Sequence, residues 1–220
     1  MARSTSASPA SSERPSGGVG VGVAIALALV WSAAQAKEPP RQGLADMLLE
    51  YLGVRYPGTP LGGHILYVSV QRQQLFHVVD GRVRDSYPIA TARAGLGNTA
   101  DSFRTPPGLH RVVEKIGGGL PPGAVLKDRR PTGEVADLAR ADRSRDVITS
   151  RILRLEGLED GVNRGGGVDS YARQIYVHGT GDEGSLNTPS SMGCVRMGNA
   201  DIIALFDQVP VGTLVVILDN

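Results

Sequence analysis

The chain has 220 residues, 41% of them hydrophobic and 20% charged, a globular composition with the length for one domain plus an appendage. Its 23 basic residues nearly balance 22 acidic ones without clustering, so it lacks the positive excess with which nucleic-acid binders neutralise phosphates. The many turn formers, 29 Gly and 14 Pro, favour an all-β or β-rich fold.

The first 36 residues read as a targeting segment. Arg3 and Arg14 lie in a polar, Ser-rich start, the apolar run from Val19 to Trp31 follows, and Ala34-Gln35-Ala36 has the small-x-small form of a signal peptidase site. Cleavage is expected before Lys37, which predicts an exported protein of the periplasm or cell envelope. The apolar run is about 13 residues, short of the roughly 20 that a spanning helix needs. An uncleaved N-terminal anchor is the alternative. Removing this segment takes away two arginines and one glutamate, so the mature chain is neutral.

Residues 37–63 read as a peripheral element. Lys37-Glu38-Pro39-Pro40 is a stiff linker, and Leu44, Leu48, Tyr51 and Leu52 share one helical face, predicting a short amphipathic helix closed by Gly53 and Pro57. At His64 the apolar period changes to two, opening a domain expected to run from residue 64 to 220. Ile65–Val70, Gln74–Val79 and Val83–Ala90 are strand candidates, and Asp80-Gly81 is a hairpin signal, so an antiparallel meander is predicted. His64 and His77 read as structural or surface residues.

The Ala94-Gly95-Leu96-Gly97-Asn98 segment lacks a following helix and reads as a loop, not a phosphate cradle. Thr105-Pro106-Pro107-Gly108 forms a turn before a strand at Leu109–Lys115. The Gly-, Pro- and charge-rich region from Gly117 to Asp146 reads as a lid or surface excursion, with a short helix near Val135–Arg140. Ile148–Leu155 alternates again, and Gly165-Gly166-Gly167 marks a loop. Near the end, Asn199 reads as an N-cap before a helix with a stripe of Ile202, Leu205, Phe206 and Val209. Pro210 and Gly212 stop that helix, and Thr213–Leu218 is apolar enough for a central strand.

The chemistry is concentrated between Ile175 and Met197. Ile175-Tyr176-Val177 carries His178 to a strand end, and a polar loop leads to Ser191-Met192-Gly193-Cys194-Val195-Arg196. Cys194 is the only cysteine, which excludes an internal disulfide. Its ordinary alternative is a small buried core residue. A thiol attacks a carbonyl as thiolate, and a free pKa of about 8.5 leaves little of that form near neutrality, so a base must sit close. His178 is the candidate base. Its second nitrogen needs a partner: Asp182, Glu183 and the nearer Gly179 carbonyl are all available. The Gly193 and Cys194 N–H groups are candidate oxyanion donors, and Arg196 is a candidate for holding a substrate carboxylate or locking the turn. Ser190 and Ser191 read as loop hydrogen-bonders, with Ser191 a further candidate contact beside the oxyanion site. The four histidines lack zinc-site spacing and there is no second cysteine, so no metal or other cofactor is expected.

The wording His178-Gly179-Thr180 followed by Pro189-Ser190-Ser191-Met192-Gly193-Cys194-Val195-Arg196-Met197 resembles the signature of the L,D-transpeptidase catalytic domain, the YkuD-like family of cell-wall enzymes. The likeness runs from about Ile65 to Leu218. It implies a curved β-sandwich or barrel with a few short helices, Cys194 as nucleophile, His178 as base and Gly179 as the carbonyl that orients the imidazole. It also implies peptidoglycan stem peptides as substrate, with another stem, a lipoprotein or a free D-amino acid as acceptor. The family commonly has His where this chain has Met192, and a thioether can neither take nor give a proton. A sortase-like transpeptidase and a wall-binding module without turnover are the alternative readings.

Overall fold

The period-two pattern that starts at His64 does form extended chain, and the strands close a circuit. A computed structural model describes residues 41–138 and 147–220. The expected targeting segment 1–36 and its linker lie outside the described residues.

Helix α1 (Arg41–Arg55) is followed by strands β1 (His64–Ser69), β2 (Gln74–Val79) and β3 (Arg82–Ala90). Asp80 and Gly81 both have positive φ, 47° and 75°, the turn geometry that the right-handed twist of a two-residue hairpin selects. Then come β4 (Gly108–Ile116), β5 (Ala124–Lys127), β6 (Arg130–Val135), β7 (Ile148–Gly157), β8 (Tyr176–Thr180), β9 (Val195–Met197), helix α2 (Asn199–Gln208) and β10 (Leu214–Leu218). The order in the sheet is β4-β10-β1-β2-β3-β9-β8-β7-β5-β6, and β4 also pairs with β7. Eight strands therefore form a closed ring, from which the β5–β6 hairpin extends. The expected mostly β, barrel-like architecture is present.

Strand alternation sorts the apolar residues onto two faces. All eight ring strands send residues into one cluster, among them Leu66, Leu75, Ile89, Val112, Leu153, Val177, Val195 and Ile217, so this cluster fills the inside of the closed sheet. Ile202, Leu205, Phe206 and Val209 of α2 join it, the stripe read from the sequence. On the outer face Ala45, Leu48 and Leu52 of α1 cover Ile65, Tyr67, Phe76, Val78 and Val216. Tyr51, expected on the apolar face of α1, is 40% exposed. Strand β10 pairs with β1 and β4 and lies within the sheet, as its apolar run predicts.

Two expectations need correction. The region after Gly117 contains β5 and β6, with Val125 and Leu126 registered against Thr149 and Ile148 of β7. Val135 closes β6, and residues 136–138 are not helical; the rest of the expected helix lies outside the described residues. This hairpin turns on Asp128 and Arg129, both at positive φ, so it carries none of the glycine signal that marks Asp80-Gly81. Between Cys194 and the helix expected after Asn199, Val195–Met197 form a short strand, β9, that the sequence pattern does not predict.

Candidate active site

Strand β8 carries Val177 and Gly179 toward the inside of the ring, so Tyr176 and His178 face outward. It runs parallel to β9, with Val177 beside Val195 and His178 beside Arg196. Extending that register by one residue sets Cys194 next to Tyr176, and both belong to an outer cluster with Ile152 of β7 and Leu126 of the hairpin. Cys194 and His178 therefore share one face on neighbouring strands, two residues out of step. Strand spacing of about 4.8 Å and a rise of about 3.3 Å per residue put their Cα atoms about 8 Å apart, a diagonal pair.

His178 is 3% exposed, and its Nδ1 lies 2.8 Å from the Gly179 carbonyl oxygen. A carbonyl only accepts, so Nδ1 holds the proton and donates it, and Nε2 carries the lone pair. Of the three partners read from the sequence, the structure uses the Gly179 carbonyl. The Glu183 carboxylate turns to Asn199 instead.

The thiol sits at the end of a strapped turn. Ser190 and Ser191 both donate their backbone N–H to the Thr91 carbonyl, at 2.8 and 2.9 Å, and Arg93 N–H donates to the Ser191 carbonyl. Ser191 Oγ donates to the Cys194 carbonyl at 2.6 Å and accepts from Gly193 N–H at 3.2 Å. Ser191, 3% exposed, is thus used to close the turn, and it occupies one of the two N–H groups read as oxyanion donors. Gly193 has φ 131°, where a side chain is strained, and an added Cβ would stand 3.5 Å from the Arg104 carbonyl oxygen. Cys194 is half-buried, with Sγ 3.4 Å from the Gln174 carbonyl oxygen, a thiol donor geometry. Arg196 is buried beside His178 and reaches Ser190 Oγ with Nη1 at 3.4 Å, a contact within the turn. Met192 points outward and is 61% exposed.

Behind Gly179, on the inner side, lies a polar network that sequence reasoning missed. The sequence pattern predicts Asn199 as N-cap, but Gly198 holds that position and Asn199 is the first helical residue. Its side chain faces inward: Nδ2 donates to the Thr180 carbonyl (2.7 Å) and Glu183 Oε1 (2.8 Å), while Oδ1 accepts from Thr149 Oγ1 (2.7 Å) and Ser150 Oγ (2.5 Å). A Cβ on Gly179 would come within 2.5 Å of the Thr149 carbonyl oxygen and 2.9 Å of Asn199 Oδ1. Glycine is what lets β8 lie against this network. Local pattern could not find it, because Asn before a helical stripe reads as a cap whatever its tertiary partners.

Two clefts are lined by residues close to the thiol in sequence or register. One of about 590 Å³ runs along the hairpin and is lined by Leu126, Arg129, Ile148, Gln174 and Tyr176. The other, about 260 Å³, is lined by Asp101, Phe103, Asp169, Arg173, Ile175 and Met192. Among the described residues no group of three or more His, Cys, Asp or Glu side chains is placed to hold a metal ion.

A lone thiol on a glycine turn and a tautomer-fixed imidazole on the facing strand define a cysteine–histidine site on a closed, mostly β sheet. Residues 63–217 match the YkuD L,D-transpeptidase catalytic domain, and the protein belongs to that family. The probable L,D-transpeptidase ErfK/SrfK of Salmonella typhimurium is 46% identical over 51 residues, 23% of this chain and 16% of that protein. The probable L,D-transpeptidase YbiS of Escherichia coli is 44% identical over 51 residues, 23% of this chain and 17% of that protein. The match thus spans about a sixth of the length of these curated relatives. An L,D-transpeptidase from Mycobacterium smegmatis superposes with a TM-score of 0.42 at 19% identity, covering 70% of this chain and 58% of that one. One from Xylanimonas cellulosilytica gives 0.41 at 21% identity, covering 78% and 69%.

Proposed function

We propose that the protein is an exported cysteine L,D-transpeptidase that acts on tetrapeptide stems of peptidoglycan. The observation that carries this reading is the His178 Nδ1–H bond to Gly179 O, which leaves Nε2 as a base on the face that bears Cys194. Nε2 takes the thiol proton, and the thiolate attacks the diaminopimelate carbonyl at its bond to the terminal D-alanine. The tetrahedral oxyanion forms at the Gly193–Cys194 turn, with the Cys194 backbone N–H as its donor. The C–N bond then breaks, the imidazolium protonates the leaving amine, and a thioester remains. An acceptor amine attacks the thioester as Nε2 removes its proton, regenerating the thiol. The acceptor is a second stem, a lipoprotein lysine or a free D-amino acid, with water giving hydrolysis. Export is supported by the charged, apolar and small-x-small order of residues 3–36.

Membership of the family sets aside the sortase-like alternative. The wall-binding reading is favoured by one observation, the exposed Met192 at the cleft in place of an ionisable side chain. Incubation with tetrapeptide muropeptides separates the two: D-alanine release that vanishes in Cys194→Ala is expected. Binding without D-alanine release by the wild type would favour the module.

A further inference from the structure

Arg173 is a residue that the reaction scheme does not use and that no sequence motif marks. It sits at the entrance to β8, one position before Gln174, whose carbonyl oxygen is 3.4 Å from Cys194 Sγ. Its guanidinium ties down the 97–104 loop through neutral acceptors: Nη1 donates to the Gly97 and Asn98 carbonyls (3.2 and 2.9 Å), and Nη2 to Ser102 Oγ and the Arg104 carbonyl (3.4 and 2.7 Å). The Arg104 carbonyl oxygen is the backbone group that a Cβ added at Gly193 would meet, at 3.5 Å. Arg173 lines a cleft with Asp101 and with Met192, the residue two positions before Cys194.

We propose that Arg173 is a positioning residue that supplies a permanent positive charge to the Cys194 thiolate while holding the loop against which the Gly193–Cys194 turn rests. The hydrogen bonds leave that charge intact, because four neutral oxygens orient a cation without neutralising it. Half-burial keeps water from screening it fully. The reciprocal influence is present on the arginine: burial lowers its proton affinity, and the nearby Cys194 and Asp101 raise it. An interaction that favours the charged arginine when the sulfur is ionised favours the ionised sulfur to the same degree. Met192, at the position facing this cleft, carries no charge and cannot take that part.

Other groups also face the sulfur's surroundings. His178 and Tyr176 lie on β8, Arg196 on β9, and Asp101 and Arg104 on the loop. Arg129 of the hairpin reaches Tyr176 Oη at 3.2 Å, and Arg154 of β7 is balanced by Glu114 at 3.2 Å. Arg173 differs from these in combining neutral acceptors with contact to the backbone that lies beside the turn.

This inference rests on Cys194 being the nucleophile. The test is the pH dependence of iodoacetamide alkylation, unambiguous because the chain has one cysteine. In Arg173→Gln the midpoint of the profile is expected to rise by about one pH unit, a loss of about tenfold in reactivity below it. In Arg173→Lys, which keeps the charge and loses the fork, the midpoint is expected to stay near that of the wild type. A rise in the Lys protein as large as that expected for Gln, or a Gln profile that overlays the wild type, overturns the proposal. Should the Gln protein not fold, Arg173→Met takes its place, with the same rise expected and an overlay on the wild type overturning the proposal. D-Alanine release persisting in Cys194→Ala would instead overturn the assignment of the nucleophile, a separate failure.

Discussion

Glu183 holds Asn199 twice: Oε1 accepts the backbone N–H at 2.7 Å and the side-chain amide at 2.8 Å. That carboxylate does the work of an N-cap from a neighbouring 3₁₀ turn, and it faces the positive end of α2. The amide it orients braces Thr180 O, Thr149 Oγ1 and Ser150 Oγ, so helix, bulged strand and the end of β8 meet at one side chain. Replacing Asn199 by Ala strands buried donors, each costing about 1–3 kcal/mol. A loss of about 2–3 kcal/mol in unfolding free energy is expected by urea denaturation. Glu183→Gln keeps an acceptor and loses the charge, so its loss should be smaller than that of Asn199→Ala.

Gly179→Ala drives a methyl group into the Thr149 carbonyl, which as backbone cannot step aside. The strand must shift, and the carbonyl that fixes the His178 tautomer shifts with it. Turnover of muropeptides is expected to fall at least tenfold, together with the melting temperature. Unchanged D-alanine release in this variant would show that the carbonyl's position is not critical.

His178→Ala is expected to abolish thioester formation, read by mass spectrometry of the acyl-enzyme. A labelled electrophile that traps Cys194 equally well in this variant would count against His178 as base. Met192→His is expected to keep or raise activity, since the position is exposed at the cleft and accepts a polar ring without disturbing packing.

Two buried histidines make stability depend on pH. His110 donates from Nδ1 to the Gly108 carbonyl and accepts the Ser170 hydroxyl at Nε2, 3.0 Å each, an arrangement that suits the neutral ring. Burial holds its pKa down at about 4. His77, buried beside His64, is also held at about 4, by burial first and by His64 second. The ordinary value is about 6.5, so between pH 6.5 and 4 the unfolded chain binds protons that the folded chain refuses. Stability is therefore complete above about pH 6.5 and declines as pH falls toward 4. Urea midpoints measured across this window should drop, and His110→Gln should flatten the slope.

Much of the fold was legible because its signals are local. Strands β1 to β4, β7 and β10 follow from alternation, and the interior stripe of α2 from its 3.6-residue period. The β5–β6 hairpin escaped because Asp128 and Arg129 take up positive φ without glycine, held there by pairing to β7. At the site, His178, Gly179 and Cys194 could be read because they sit in a distinctive run, and the structure brings them to one sheet region. Asn199, Glu183 and Arg173 could not be read, because their partners lie 16 to 76 residues away and nothing in the neighbouring sequence announces them.

The closed ring also governs how copies of this protein meet one another in concentrated solution. Among the described strands, β6 pairs only with β5, and β3 meets β9 only through Ile89 and Ala90, so β6 presents an open flank to a stray strand. Every residue of β6 is exposed, yet Pro131 lacks the donor that a templated ladder needs, Gly133 weakens the strand, and Arg130 and Glu134 keep it hydrated. That margin is thus already blunted by its own sequence, and Pro131→Thr would sharpen it.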